Sequence, residues 1–286
     1  MLAIIYAFCC IACAACNDFV FKLFARKNRS RGLFVLLVGV SWGSASLLLP
    51  NLKGESWQAT LIWGIISGLF SVIGNLMLIE AMGKQSAGLC STIYRLNLAL
   101  VIPGAWLLFG EKNTLLQCIG IVAAFAAVLF FLPGSPSTDK NAADRKLGLI
   151  LVIIAAILRA GMGLSYKQGF LLGASPNGVM VVNSVCWVIG GFIYFLWREN
   201  NASEPQWTWK LTGYGTFSGV LVFGICFFMA HSVRLGDASI VLPIMQMSFI
   251  PTFILSMIFL KEKLTVYKFI ALCSGAAALI MLSVRP

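Results

Sequence analysis

A chain of 286 residues that is 59% hydrophobic, only 11% charged and has a mean hydropathy of +0.91 cannot cover itself with polar side chains in water. An ordinary soluble domain carries roughly 25% charged residues. The net charge of +11 does not mark a nucleic-acid groove, because the cations sit in short loops beside long apolar runs, where they report membrane topology. Only helices and closed barrels satisfy every backbone group in lipid, and these runs lack the period-2 alternation of barrel strands. The expected fold class is therefore all-α and integral to the membrane.

In chain order, ten transmembrane helices are predicted over residues 2–24, 33–50, 57–81, 87–109, 113–132, 147–172, 176–197, 208–233, 238–260 and 265–284. The first ends at Lys22 and the cluster Arg26-Lys27-Asn28-Arg29-Ser30-Arg31, too polar to bury in hydrocarbon. It has no basic leader and no small-residue cleavage site behind it, so it reads as a retained helix. Pro50 with Asn51, Lys53 and Glu55 ends the second span, Lys84-Gln85 the third and Gly110-Glu111-Lys112-Asn113 the fourth. Residues 133–146 form a polar linker, which divides a first five-helix half (1–132) from a second (147–286). All nine cysteines fall inside predicted spans, where they behave as small apolar residues. Cys10, Cys13 and Cys16 share a helical face, but no His or carboxylate accompanies them at ligand spacing, so no metal and no cofactor is expected. One set of alternate loops carries thirteen Lys and Arg, the other four, which places both termini outside the cytoplasm.

Self-comparison adds an internal repeat. Ala87 to Phe130 lies on Ala238 to Met281 at a constant offset of 151, and Asn17-Asp18-Phe19-Val20-Phe21-Lys22 lies on Met162-Gly163-Leu164-Ser165-Tyr166-Lys167. An odd number of spans per half inverts the halves in the membrane, the architecture of secondary transporters with a site near the midplane. The segment Ile102-Pro103 through Leu108-Phe109-Gly110-Glu111-Lys112, with its second copy Ile250-Pro251 through Lys261-Glu262-Lys263-Leu264-Thr265, resembles the EamA-type branch of the drug/metabolite transporter superfamily. So does the first-helix stretch Asn17 to Lys22, although Ala15-Cys16 stand where that family usually has Trp-Gly. The resemblance spans essentially the whole chain. It implies two inverted five-helix repeats around a central cavity lined by the fourth and ninth helices, and in many members termini inside.

Charges at bilayer depth usually face a cavity or a partner. The candidates are Asp18, Glu80, Arg95, Arg159, Lys167 and His231, with polar neighbours that include Asn17, Asn75, Asn183, Tyr94, Asn97, Tyr166, Gln246 and Ser248. Arg95 lies about 12 Å along its span at roughly 1.5 Å per residue. There it serves as a fork for a carboxylate or phosphate, or else pairs with Glu80 or Asp18. Tyr94, Arg95, Asn97, Gln246, Ser248 and Tyr166 are the expected substrate-binding set; Asp18, Lys167, Glu80 and His231 are the coupling or gating set. Asp18 could neutralise Lys22 or Lys167, and His231 could simply make an interfacial hydrogen bond. Glu111 and Glu262 sit in helix–helix turns and are expected to be structural. The eight tryptophans lie mostly near span ends, as an aromatic belt requires.

These residues predict a secondary transporter that moves a small polar metabolite, an amino acid or organic anion, by alternating access. Export is the direction the resemblance implies; uptake of a sugar or amine, or efflux of cationic drugs, is the alternative. The partners are the solute, the bilayer of a bacterial inner membrane and a coupling ion such as a proton, with the chain a monomer or homodimer and no nucleic acid involved. The absence of a Walker A motif leaves an ion gradient or solute exchange as the drive. A membrane enzyme would need a nucleophile–base set that one histidine and no paired carboxylates cannot supply, and a scaffold has no use for a polar midplane.

Overall fold

The computed structural model describes residues 2–25, 29–110, 114–131, 142–199, 207–235, 244–261 and 265–282, and among these it is helical without a strand. The helices are α1 (Leu2–Ala25), α2 (Arg31–Ser46), α3 (Trp57–Lys84), α4 (Ala87–Arg95), α5 (Leu98–Phe109), α6 (Leu115–Phe131), α7 (Ala142–Leu171), α8 (Pro176–Tyr194), α9 (Trp209–Leu235), α10 (Phe249–Leu260) and α11 (Val266–Leu282). A π-helical turn, Phe195–Glu199, extends α8. Among the described residues, six stretches are long and apolar enough to cross a membrane: Leu2–Ala25, Trp57–Lys84, Ala87–Phe109, Ala143–Leu171, Pro176–Glu199 and Trp209–Met229. Arg31–Ser46, Leu115–Ala126, Ile244–Leu260 and Val266–Leu282 are shorter apolar helices.

Serines set four of the starts. Ser30, Ser56, Ser86 and Ser175 stand before α2, α3, α4 and α8, and each side chain accepts a hydrogen bond from the backbone N–H three residues on. Pro176 follows Ser175 at the first helical position, where its missing N–H costs nothing. Two boundaries differ from those predicted. The second span stops at Ser46, with turns through residues 47–49, and α7 starts at Ala142, so the last five residues of the expected linker are helical. The rest of that linker, with Glu111 and Glu262, lies outside the described residues.

The predicted fourth span is not one helix. It breaks at Leu96-Asn97, where the Leu96 N–H is shared between the Thr92 and Ile93 carbonyls. With its amide turned so that nitrogen faces them, the Asn97 side chain donates to the Tyr94 and Arg95 carbonyls (3.3 and 3.1 Å), groups that a continuous helix would have paired. The counterpart break falls at Met247-Ser248, before α10. Leu96 and Met247 are 151 residues apart, and the same interval separates both ends of α5 from those of α10 and both ends of α6 from those of α11. Gly110 and Lys261, also 151 apart, both take left-handed backbone (φ 67° and 54°) to end α5 and α10.

Close packing fixes the centre. α2 and α8 run antiparallel: a Cβ on Gly32 would sit 2.6 Å from the Gly191 carbonyl oxygen, and one on Gly191 would sit 2.6 Å from the Leu36 nitrogen. Only glycine allows that approach at either residue. α3 packs along α7 and α8, α9 along α1 and α2, and α6 on α11. At one end of the bundle the Glu199 carboxylate accepts from Ser30 Oγ (2.6 Å) and the Arg31 and Gly32 N–H groups (2.9 and 3.1 Å). At that same end Lys84 pairs with Asp144 (2.5 Å), and the Gln85 amide donates to the Arg145 carbonyl. At the other end the Glu55 and Ser56 N–H groups donate to the Gly173 carbonyl, and the Asn177 amide to that of Pro50. The basic residues Arg31, Lys84, Arg145 and Arg198 thus collect at one end.

Candidate functional site

A cavity of about 70 Å³ lies within the bundle, walled by α1, α2, α3, α4, α7, α8 and α9. Asn17 and Asp18 project from α1, Ser71 and Asn75 from α3, and Tyr94 and Arg95 from the last turn of α4. Arg159, Met162 and Tyr166 come from one face of α7, spaced three and four residues apart. Val222, Ile225, Cys226 and Met229 form the same kind of stripe on α9, wholly apolar. Trp42 and Trp187 close the wall with their rings edge to face at 5.7 Å.

Hydrogen bonds hold most of the polar groups. Asp18 Oδ2 accepts from Ser91 Oγ at 2.6 Å and from the Arg95 guanidinium at 3.4 Å, a buried ion pair between α1 and α4. Arg95 therefore pairs with Asp18, not with Glu80, and its Nε is left without a partner. Asn17 Oδ1 accepts from Ser218 Oγ (2.6 Å), tying α1 to α9, and Trp187 Nε1 donates to Ser71 Oγ (2.9 Å). The Asn183 amide donates to the Tyr166 hydroxyl at 2.5 Å while its carbonyl oxygen accepts from Ser67 Oγ at 3.1 Å. Two guanidinium groups stand near the Tyr94 ring, Arg95 at 5.9 Å and Arg159 at 5.5 Å from its centroid.

The family model for EamA-like transporters matches this sequence over residues 1–132 and 146–284. The chain belongs to the EamA-like transporter family. Within the drug/metabolite transporter superfamily its members are membrane transporters, and the apolar helices make this one a multi-pass membrane protein. An uncharacterized protein of Haemophilus influenzae is 26% identical over 244 residues, 81% of this chain and 80% of its own length. One solved crystal structure superposes with a TM-score of 0.65, at 14% identity, over 98% of this chain and 97% of its own, a likeness of fold alone.

The other residues singled out in the EamA-like sequence stand elsewhere. Glu80 is one wall of a second, larger space of about 610 Å³ at the basic end, with Arg31, Lys84, Asp144, Tyr194 and Arg198. There it pairs with Arg31 and accepts from the Tyr194 hydroxyl at 2.6 Å. Lys22 does not meet Asp18: its ammonium donates to the Met82 and Gln85 carbonyls (2.7 and 2.5 Å) and so caps α3. Lys167 sits over the Phe109 ring, 4.7 Å from its centroid, rather than against Asp18. His231 Nδ1 lies 2.9 Å from the Phe227 carbonyl one turn back, and its ring packs on Phe227 and Tyr6. Asn97 serves the helix break, and Gln246 and Ser248 flank the second break, with Ser248 Oγ buried and unpartnered; none of the three lines the cavity. Of the expected binding set, the cavity collects Tyr94, Arg95 and Tyr166.

Sequence reasoning missed Trp42, Ser71, Met162, Trp187 and the α9 stripe from Val222 to Met229 as lining residues. Trp42 and Trp187 are exceptions to the aromatic belt, standing mid-span in 33–50 and 176–197, and both are buried at the cavity. The signal was present: Trp42 and Trp187 are 145 residues apart, the interval that also relates Asn17 to Met162.

Proposed function

We propose that this protein is a secondary transporter with ten spans in two inverted five-helix repeats, which moves a small polar metabolite, an amino acid or organic anion, by alternating access. The observation that carries the reading is a polar cavity with three charged side chains, Asp18, Arg95 and Arg159, inside an otherwise apolar bundle. Such charges are costly at bilayer depth and are kept where a solute or ion path needs them. The shared 151-residue spacing of helix breaks and ends supports the repeat, and the antiparallel α2–α8 pair supports the inversion. Two guanidinium groups against one carboxylate favour an anionic or zwitterionic solute over a cationic drug.

The basic end, with its larger space, faces the cytoplasm by the positive-inside rule, which makes that space the entry for an exported solute. The opposite end is held shut by the bonds between residues 50–60 and 173–177. A cavity of about 70 Å³ has room for a few waters but not for an amino acid, so binding widens it. The breaks at Leu96-Asn97 and Met247-Ser248 are where α4–α5 and their second copy can bend.

Counterflow in proteoliposomes tests this reading. Vesicles preloaded with unlabelled amino acids or organic acids take up the labelled species faster than protein-free vesicles. Flux no different from protein-free vesicles for every amino acid, organic acid, sugar and amine tried rules the transporter reading out.

A further inference from the structure

Arg159 stands out from the other charges of the cavity by its partners. Asp18, the one carboxylate of the cavity wall, is taken by Arg95 and Ser91. Arg159 has no carboxylate within ion-pair distance among the described residues. Its contacts are neutral: the Tyr94 side chain, as ring and as hydrogen-bond partner, and a long approach of Nη1 to Met162 Sδ (3.9 Å). It lies mid-helix on α7, 17 residues from Ala142 and 12 from Leu171, too far from either end to reach headgroups. A guanidinium is charged at any working pH, so the protein holds a fixed positive charge against a cavity. Across from it the α9 stripe of Val222, Ile225, Cys226 and Met229 offers no polar side chain other than a thiol. Its counterparts on α3, 151 residues earlier, are polar: Ser71 for Val222 and Asn75 for Cys226. One wall of the cavity can therefore take a charged head and the other an aliphatic tail.

From this we infer that Arg159, rather than Arg95, is the anion anchor of the cavity, and that its solute is an organic carboxylate carrying a short apolar side chain. The inference rests on the transporter reading and names the residue and chemistry it leaves open. Arg159 Nη groups bind the carboxylate beside the Tyr94 ring, and the side chain lies on the α9 stripe. Arg95 with Asp18 is the rigid floor, a positioning pair that does not exchange partners with the solute.

Thermal unfolding of the purified protein in detergent, with 4-methylpentanoate or L-leucine and their uncharged or cationic amides, separates charge from shape. At least one of the acids raises the melting temperature by roughly 2–4 °C at saturation, and its amide does not. Arg159→Gln, checked for a monodisperse peak and its own melting transition, weakens the apparent affinity for that acid by at least about tenfold. Arg159→Lys, which keeps the charge but not the fork, recovers part of it. The inference is overturned if neither acid stabilises the wild type, if the amides do as well, or if Arg159→Gln keeps the full shift. Exchange in vesicles alongside any of those results leaves a transporter with a different anchor, whereas acid binding without exchange removes the transporter and keeps the anchor.

Discussion

Arg95 and Asp18 form a buried pair whose worth is read by removing one partner. Both are at most 7% exposed, so Arg95→Gln leaves a carboxylate in a low-dielectric site with only Ser91 to hold it. The expected loss is about 2–4 kcal/mol, seen as a lower melting temperature, and Asp18→Asn in the same chain restores part of it. A double variant no more stable than Arg95→Gln alone contradicts the pairing. Trp187→Phe removes the Nε1 donor to Ser71 and costs about 1 kcal/mol in the same measurement while keeping the ring that faces Trp42. At this scale the sequence revealed which side chains are polar at depth but not which touch. Arg95 and Arg159 read alike as cations mid-span; only the crossing of α1 over α4 brings Asp18 to one of them. Trp42 and Trp187 stand mid-span and 145 residues apart, which sets them off from the aromatic belt but does not say which face of each helix is inward.

Among the elements, helix ends follow the sequence closely because caps are local. Serine before α2, α3, α4 and α8 marks each start within the chain itself. The interruption at Leu96-Asn97 was not legible from hydropathy, since Ala87–Phe109 is apolar when averaged over its length, but a matching turn falls at Met247-Ser248, 151 residues on. The same comparison yields a prediction at the end of α10. Gly110 takes left-handed backbone without strain, whereas Lys261 does so with a Cβ. Lys261→Gly therefore stabilises the protein by about 0.5–1 kcal/mol, and an unchanged or lower melting temperature contradicts it. Gly32→Ala acts in the opposite sense: its methyl meets the Gly191 oxygen and Phe195 nitrogen at 2.6 Å, both backbone atoms that cannot rotate away. We expect a loss of at least about 2 kcal/mol and a broadened elution profile.

On the scale of the whole molecule, the charge pattern, the two intervals and the cavity form one account. The basic loops gather at one end, a space of about 610 Å³ lies there, and hydrogen-bonded turns shut the other end. Hydropathy foretold an apolar, all-helical bundle, while the cavity needed the helices to be brought together, since its wall draws on seven of them. Cys226 gives the cavity a natural reporter, because its thiol lines it from the apolar side. The most direct measurement keeps Cys226 alone, replaces the other eight cysteines by serine or alanine, and follows exchange in proteoliposomes treated with a membrane-impermeant, negatively charged thiosulfonate. The account predicts that exchange survives the replacements, that modification of Cys226 abolishes it, and that the exchanged solute slows the modification. Exchange that continues undiminished with Cys226 fully modified would contradict it, because the solute would then cross by another route.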